Sequence, residues 1–350
     1  MNTAIPTNGI NRLAINKITR QPNSPLPLII PVAANEHEFP LLAAAINTGI
    51  QILETIRGRA ALTRLGTKMM RNPGQQVFSG HPAQMATYVN FFLQRLRSSF
   101  IPVTINDESS VDVIASFQRA TGVWNVTNWD PSQGGLLNFN CSRVNAMVVV
   151  SKANTAQSRK LADRYRRFQF LFSVATTHEL AHAFVAYLSG GRSGTITPPS
   201  VSFLDYGFQQ GGLNTGESGR WLENQLFGGS IEIYRDPTDD QWQCGLVHVL
   251  DNNAVARQVS MATMLTFIGT TRSFHFPLVN PTSPGLTRQD RQARNLRSMG
   301  AAHHAASPPV GTAFMQALKS RKLKRYRVLS VYLVAVGTTP SWNINAIPVY

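Results

Sequence analysis

The chain has 350 residues, 43% of them hydrophobic and 15% charged, with a formal net charge of +15. That length buries a large core in one big domain or two modest ones. No apolar run reaches the roughly 18 residues of a membrane span, and the N-terminus lacks the charged start and apolar stretch of a secretory signal. Cys141 and Cys244 are far apart and form no CxxC pair. A reducing compartment with two free thiols is the default, with one disulfide left open.

Residues 1–35 carry Arg12, Lys17 and Arg20, no acid before residue 35, and Pro6, Pro22, Pro25 and Pro27. They read as a flexible leader, with a faint likeness to a mitochondrial presequence. From Phe39 to Met70 the apolar spacing is helical, with Gly49 and Gly58 as candidate breaks, and Asn72-Pro73-Gly74 stops it. His81-Pro82 opens a second helix through Leu96. Val111 to Gly122 reads as a short helix. Leu136–Phe139 and Val144–Ser151 are apolar and β-branched, which predicts two strands. A long helix follows from Ser158 to Leu188, without Gly or Pro, stopped by Gly190-Gly191. The Gly-, Ser-, Thr- and Pro-rich loop Gly190–Gly212 leads to a helix over Asn214–Phe227, closed by Gly228-Gly229. Ser230–Tyr234 and Gly245–Leu250 read as strands and Val255–Ile268 as a helix. Val328–Val336 is β-prone and predicts an edge strand.

Residues 276–327 are Pro-rich and then basic. Between Arg288 and Arg327 lie ten cations and the single acid Asp290, a net +9. Such a segment attracts polyanions, whether nucleic acid, anionic lipid or acidic protein; a solvated surface segment is the plainer reading. Only Tyr326 interleaves with these charges, which gives little support for base stacking.

Within the long helix stands His178-Glu179-Leu180-Ala181-His182, an HExxH sequence. Histidines four apart lie on one helical face, so both imidazoles can reach one ion, and Glu179 is placed to handle a water. The bland alternative is a helix with two hydrogen-bonded core histidines.

Over about residues 136–235 the chain resembles the zincin metallopeptidases: a strand, then the HExxH helix, then a later glutamate. The resemblance implies an α+β fold, mainly helical, with a small mixed sheet whose edge strand precedes the HExxH helix and pairs with an extended peptide. It implies Zn²⁺ as cofactor and Glu179 as general base. The metzincin continuation HxxGxxH fails, because Ala-Phe-Val-Ala-Tyr-Leu follows His182. The gluzincin pattern takes a glutamate from a later helix. Only Glu217, Glu223 and Glu232 lie downstream. Glu217, beside Gly216 and Gly219, is the first choice of third ligand. Glu223 is the alternative, with an ion pair to Arg220 as its plain explanation. The family's Asp four residues after the ligand is missing, since position 221 is Trp. His248, Tyr206 and Tyr234 are candidate proton or transition-state donors, each with packing as its simpler role. His303-His304 reads as solvated.

The expectation is a catalytic unit over 36–275, the basic segment 276–327, and a terminal strand over 328–350. The expected activity is zinc-dependent hydrolysis of a peptide or protein substrate, in an intracellular setting by default, with mitochondrial or delivered forms left open. The second reading is a polyanion-binding protein whose zinc site is structural or vestigial.

Overall fold

A computed structural model describes residues 9–19, 27–70, 80–106, 113–153, 158–191, 197–204, 208–210, 213–240, 242–269, 272–299, 314–315, 325–336 and 339–349. The strands are β1 (Ile10–Leu13), β2 (Ile15–Thr19), β3 (Leu28–Pro31), β4 (Val103–Asn106), β5 (Ala115–Arg119), β6 (Gly135–Asn140), β7 (Phe208–Gln210), β8 (Leu213–Thr215), β9 (Ser230–Tyr234), β10 (Leu246–Leu250), β11 (Ala256–Gln258), β12 (Arg325–Val336) and β13 (Thr339–Val349). The helices are α1 (Glu38–Glu54), α2 (Ile56–Met70), α3 (Met85–Ser98), α4 (Pro131–Gly134), α5 (Cys141–Lys152), α6 (Arg159–Leu188), α7 (Ser218–Phe227), α8 (Met261–Ile268) and α9 (Arg288–Ala293). The fold is mixed α+β.

The central sheet runs β3-β2-β4-β6-β5, with β2, β4 and β6 parallel and β3 and β5 antiparallel at the edges. Helix α6 packs against β5 of this sheet and against α1. Nearly every residue of α1 is buried, which suits a helix apolar on all sides. Gly49 sits where α1 meets α6: a Cβ there would come 2.8 Å from Thr176 Cβ. α6 starts on the Ser158 hydroxyl, which accepts from Leu161 N, and ends at Gly190 and Gly191, both at positive φ. Among the described residues no single helix is long and apolar enough to cross a membrane; α1 and α2 pass only as a pair bent by 76°.

Several expectations change. The leader contributes β1, β2 and β3, and Ile10, Leu13, Ile15 and Ile29 are buried. Buried Arg97 helps hold it, donating to Gly9 O at 3.1 Å while gripping Glu54 at 2.9 and 2.6 Å. The break after α1 falls at Thr55, not at Gly49 or Gly58, because the Thr55 hydroxyl accepts from Gly58 N at 2.9 Å and starts α2. Val144–Ser151 is helical. Asn140 Oδ1 takes the N–H groups of Ser142 and Arg143, and this cap outweighs the β-branched run. Residues 115–119, expected in a helix, form β5 instead. The edge strand before the HExxH helix is therefore β5, not the Val144–Ser151 segment. Val255–Ile268 divides into β11 and α8 at the Ser260 cap. The terminal β-prone run is not an edge: β12 lies between β1 and β13. Residues 276–278 still pack on the core, with Phe276 against Phe227 and Phe267 and Leu278 buried.

Candidate metal centre

The HExxH residues lie in the buried C-terminal half of α6. His178 and His182 face the same way, with ring centroids 5.3 Å apart. α7 brings the third group. It begins at Ser218 because Glu217 is its N-cap, with a carboxylate oxygen accepting from Arg220 N. The other oxygen, Oε1, lies 2.6 Å from His182 Nε2 and 3.4 Å from His178 Nε2. One nitrogen or oxygen from each of His178, His182 and Glu217 falls within 4.8 Å of the others, so the three could hold a metal ion. Donors about 2.1 Å from one tetrahedral ion lie about 3.4 Å apart; the distance from Glu217 Oε1 to His178 Nε2 matches this, while the 2.6 Å to His182 Nε2 is a direct hydrogen bond that a bound ion replaces.

The approach of α7 to α6 needs a glycine at 219. A Cβ there would sit 2.3 Å from both Cδ2 and Nε2 of His178. The Val201 carbonyl accepts from Glu217 N at 2.7 Å and fixes the turn before the helix.

Each histidine is oriented through its second nitrogen. His178 Nδ1 donates to Glu223 Oε1 at 2.8 Å. His182 Nδ1 is 3.0 Å from the Ser218 hydroxyl. Glu223, the alternative third ligand, therefore lies on the far edge of the His178 ring. Its Oε2 accepts from Ile231 N at 2.9 Å and Ser230 Oγ at 3.1 Å and faces Arg220 at 3.4 Å. The ion pair to Arg220 is present, but inside a buried network that ties α7 to β9.

Glu179 is buried. Its Oε2 accepts from Phe117 N on β5 at 2.6 Å, and Oε1 lies 4.0 Å from His178 Nε2. A cavity of about 40 Å³ adjoins His178 and Glu179, walled by Ile114, Ala115, Leu171, Val174, Ile231 and Ile233. It has room for a water molecule. The His182 side chain is 28% exposed while those of His178, Glu179, Glu217 and Glu223 are 9% or less, so the centre opens on the His182 side.

The charges are strongly coupled. Burial would raise the Glu217 carboxyl, but the two facing histidines hold it well below its usual range. Burial would lower His178, but Glu217 and Glu223 push it well above the ordinary histidine value. Glu179 is raised, by burial first, against the pull of His178 and His182. Glu223 is lowered: Arg220 and His178 outweigh its burial. Three buried carboxylates facing two histidines and Arg220 suit a cation, which can replace a proton on the imidazole side.

The other candidates lie elsewhere. His248 Nδ1 donates to Leu246 O at 3.0 Å, its ring packs edge-on to Tyr234, and burial lowers its pKa. Burial, helped by Glu232, pushes Tyr234 up to about 12, and Arg291 lies over its ring. Both belong to the β9–β10 sheet packing. Glu232, on the same sheet, faces Arg220 at 3.6 Å. Tyr206, His303-His304, part of the 190–212 loop and much of the basic segment lie outside the described residues. Of that segment, Arg291 turns inward to Ala254 O and Leu286 O. Sequence reasoning missed Ser218, Gly219 as a contact with the His178 ring, and the Phe117 N–H. Ser218 and Gly219 carried a signal, since both directly follow the candidate ligand; a backbone donor 62 residues from its acceptor carried none.

No family model, no curated protein and no solved structure matches this chain.

Proposed function

We propose that the chain is a zinc-dependent metallopeptidase of the zincin type, gluzincin-like, with His178, His182 and Glu217 holding the ion. The convergence of their donor atoms beside the buried carboxylate of Glu179 carries this reading. Two imidazoles and one carboxylate form a catalytic zinc donor set that leaves a position open. Zinc, when bound there, supplies a Lewis acid that lowers a water's pKa to about 7 and polarises a carbonyl.

The chain's own residues do the rest. Glu223 and Ser218 fix the imidazoles through Nδ1, leaving each Nε2 turned to the ion. Glu179 takes the proton of the attacking water and passes it to the leaving amine nitrogen. β5 supports the peptidase assignment. Ile114 O and Ala120 N bond across to Asn140 N and Gly134 O, whereas Phe117 N faces α6. The odd-numbered residues of β5 thus turn their backbone groups away from β6, and Phe117 N donates its hydrogen to Glu179; a sheet edge beside the general base is where an extended peptide pairs without its sequence being read.

The test is Glu179→Gln assayed on an unfolded protein substrate. The variant keeps its zinc and loses hydrolysis by about 10²- to 10⁴-fold, the range for losing a general base. Hydrolysis at the wild-type rate refutes the mechanism.

A further inference from the structure

Among the described residues the cations of α2 meet no acid. Arg57, Arg59, Arg64 and Lys68 are its only charged residues. None has a carboxylate partner among the described residues. Arg57 donates to Gln225 O, Arg59 to Glu54 O and Asn90, and Arg64 to the Gln225 amide oxygen at 3.3 Å. Lys68 Nζ stands over the Trp221 ring, 5.7 Å from its centroid.

Beside Arg64 and Lys68 runs an open groove of about 790 Å³. Thr63 and Thr67 line it with them, the Pro199–Ser200 turn faces them, and Trp221 joins the lining. Clefts of about 300–1,000 Å³ accept small ligands and short segments of chain. The described lining holds two cations and three hydroxyls and no carboxylate, so its field favours anions.

The groove lining borders the backbone of Glu217. Trp221 N donates to Glu217 O at 3.1 Å, and the Pro199–Ser200 turn ends at Val201, whose carbonyl accepts from Glu217 N.

We propose that this groove binds the acidic side chains of a peptide substrate, so that the enzyme prefers Asp or Glu near the scissile bond; the preference for cleavage rests on the peptidase reading above. Among the described residues Arg64 meets only a neutral amide, which leaves guanidinium N–H groups for a carboxylate. A single aromatic ring lies in the described lining, whereas single-stranded nucleic acid needs a series of stacking platforms.

The experiment compares a short fluorogenic peptide carrying two Glu residues with its Gln counterpart, on the zinc-loaded wild type and on Arg64→Gln/Lys68→Gln. Binding of the same peptides, dye-labelled, is measured in parallel on the Glu179→Gln background. The wild type favours the Glu peptide in kcat/KM by about tenfold, the scale of two solvent-facing charge contacts, and added salt erodes the preference. In the double variant the ratio falls to near unity, and binding of the Glu peptide weakens by a similar factor. Equal kcat/KM for the two peptides in the wild type overturns the proposal, as does a preference that survives the double substitution. Tighter binding of a single-stranded oligonucleotide than of the Glu peptide at equal salt also overturns it. If neither peptide is cleaved but the Glu peptide binds in an Arg64- and Lys68-dependent way, the groove stands and the peptidase reading fails.

Discussion

His178 has a carboxylate at each ring nitrogen: Glu223 at 2.8 Å from Nδ1 and Glu217 at 3.4 Å from Nε2. A ring held at both ends has little freedom to turn, and such orientation is what a bound ion exploits. The neighbour that makes this arrangement possible is Gly219. Gly219→Ala gains helix propensity, worth up to about 1 kcal/mol, but places a methyl on the ring atom that would bind the ion. The clash wins: zinc affinity falls by about 10- to 100-fold with unchanged circular dichroism, as titration against a zinc-sensitive dye will show. Wild-type affinity in this variant would mean that Nε2 of His178 is not a ligand atom. HExxH, the candidacy of Glu217 and the Arg220–Glu223 pair were legible because they are matters of residue type and short spacing. The hydrogen bond from His178 Nδ1 to Glu223 was not, because it joins two helices whose packing no local pattern specifies.

Elements with a strong period or clear stops were readable: α6 between Ser158 and Gly190, α7 up to Gly228, and β9 by its alternation. At 10–31, 115–119 and 144–151 the local pattern and the three-dimensional setting disagree, and the setting decides. The Asn140 cap made α5 a helix, and pairing with β4, β6 and β12 made strands of β2, β5 and β1. Tertiary pairing decides such short segments, and it lies far away in sequence. The contact of α1 with α6 sets the position of the HExxH helix, and Gly49→Ala tests it. A Cβ 2.8 Å from Thr176 and 3.0 Å from Ser173 O overpacks the interface at a cost of about 1–3 kcal/mol, against a propensity gain of at most about 1 kcal/mol. The urea midpoint drops; a rise would show that the helices separate without penalty.

At the scale of the whole molecule, ion pairs tie the start of α6 to the loop after β9. Arg164 lies 2.5 Å from Asp239 and 3.0 Å from Asp240, and Lys160 lies 2.7 Å from Asp239. Burial would raise Asp239, but the hydrogen bonds from Lys160 and Asp240 N, with Arg164, bring it below its usual value. A lowered folded pKa contributes stability that is complete above the unfolded value of about 4 and is lost as pH falls through the folded one. The stability gap between wild type and Asp239→Asn is therefore widest at neutral pH and closes in strong acid. A gap that widens on acidification contradicts this sign.

All of this converges on three donor atoms from two helices. Elemental analysis of purified wild type, Glu217→Ala and Glu223→Ala tests that convergence most directly. The wild type is expected to hold one zinc per chain, Glu217→Ala to lose it, and Glu223→Ala to keep it with weaker binding. Full zinc in Glu217→Ala, or none in the wild type after zinc loading, contradicts it.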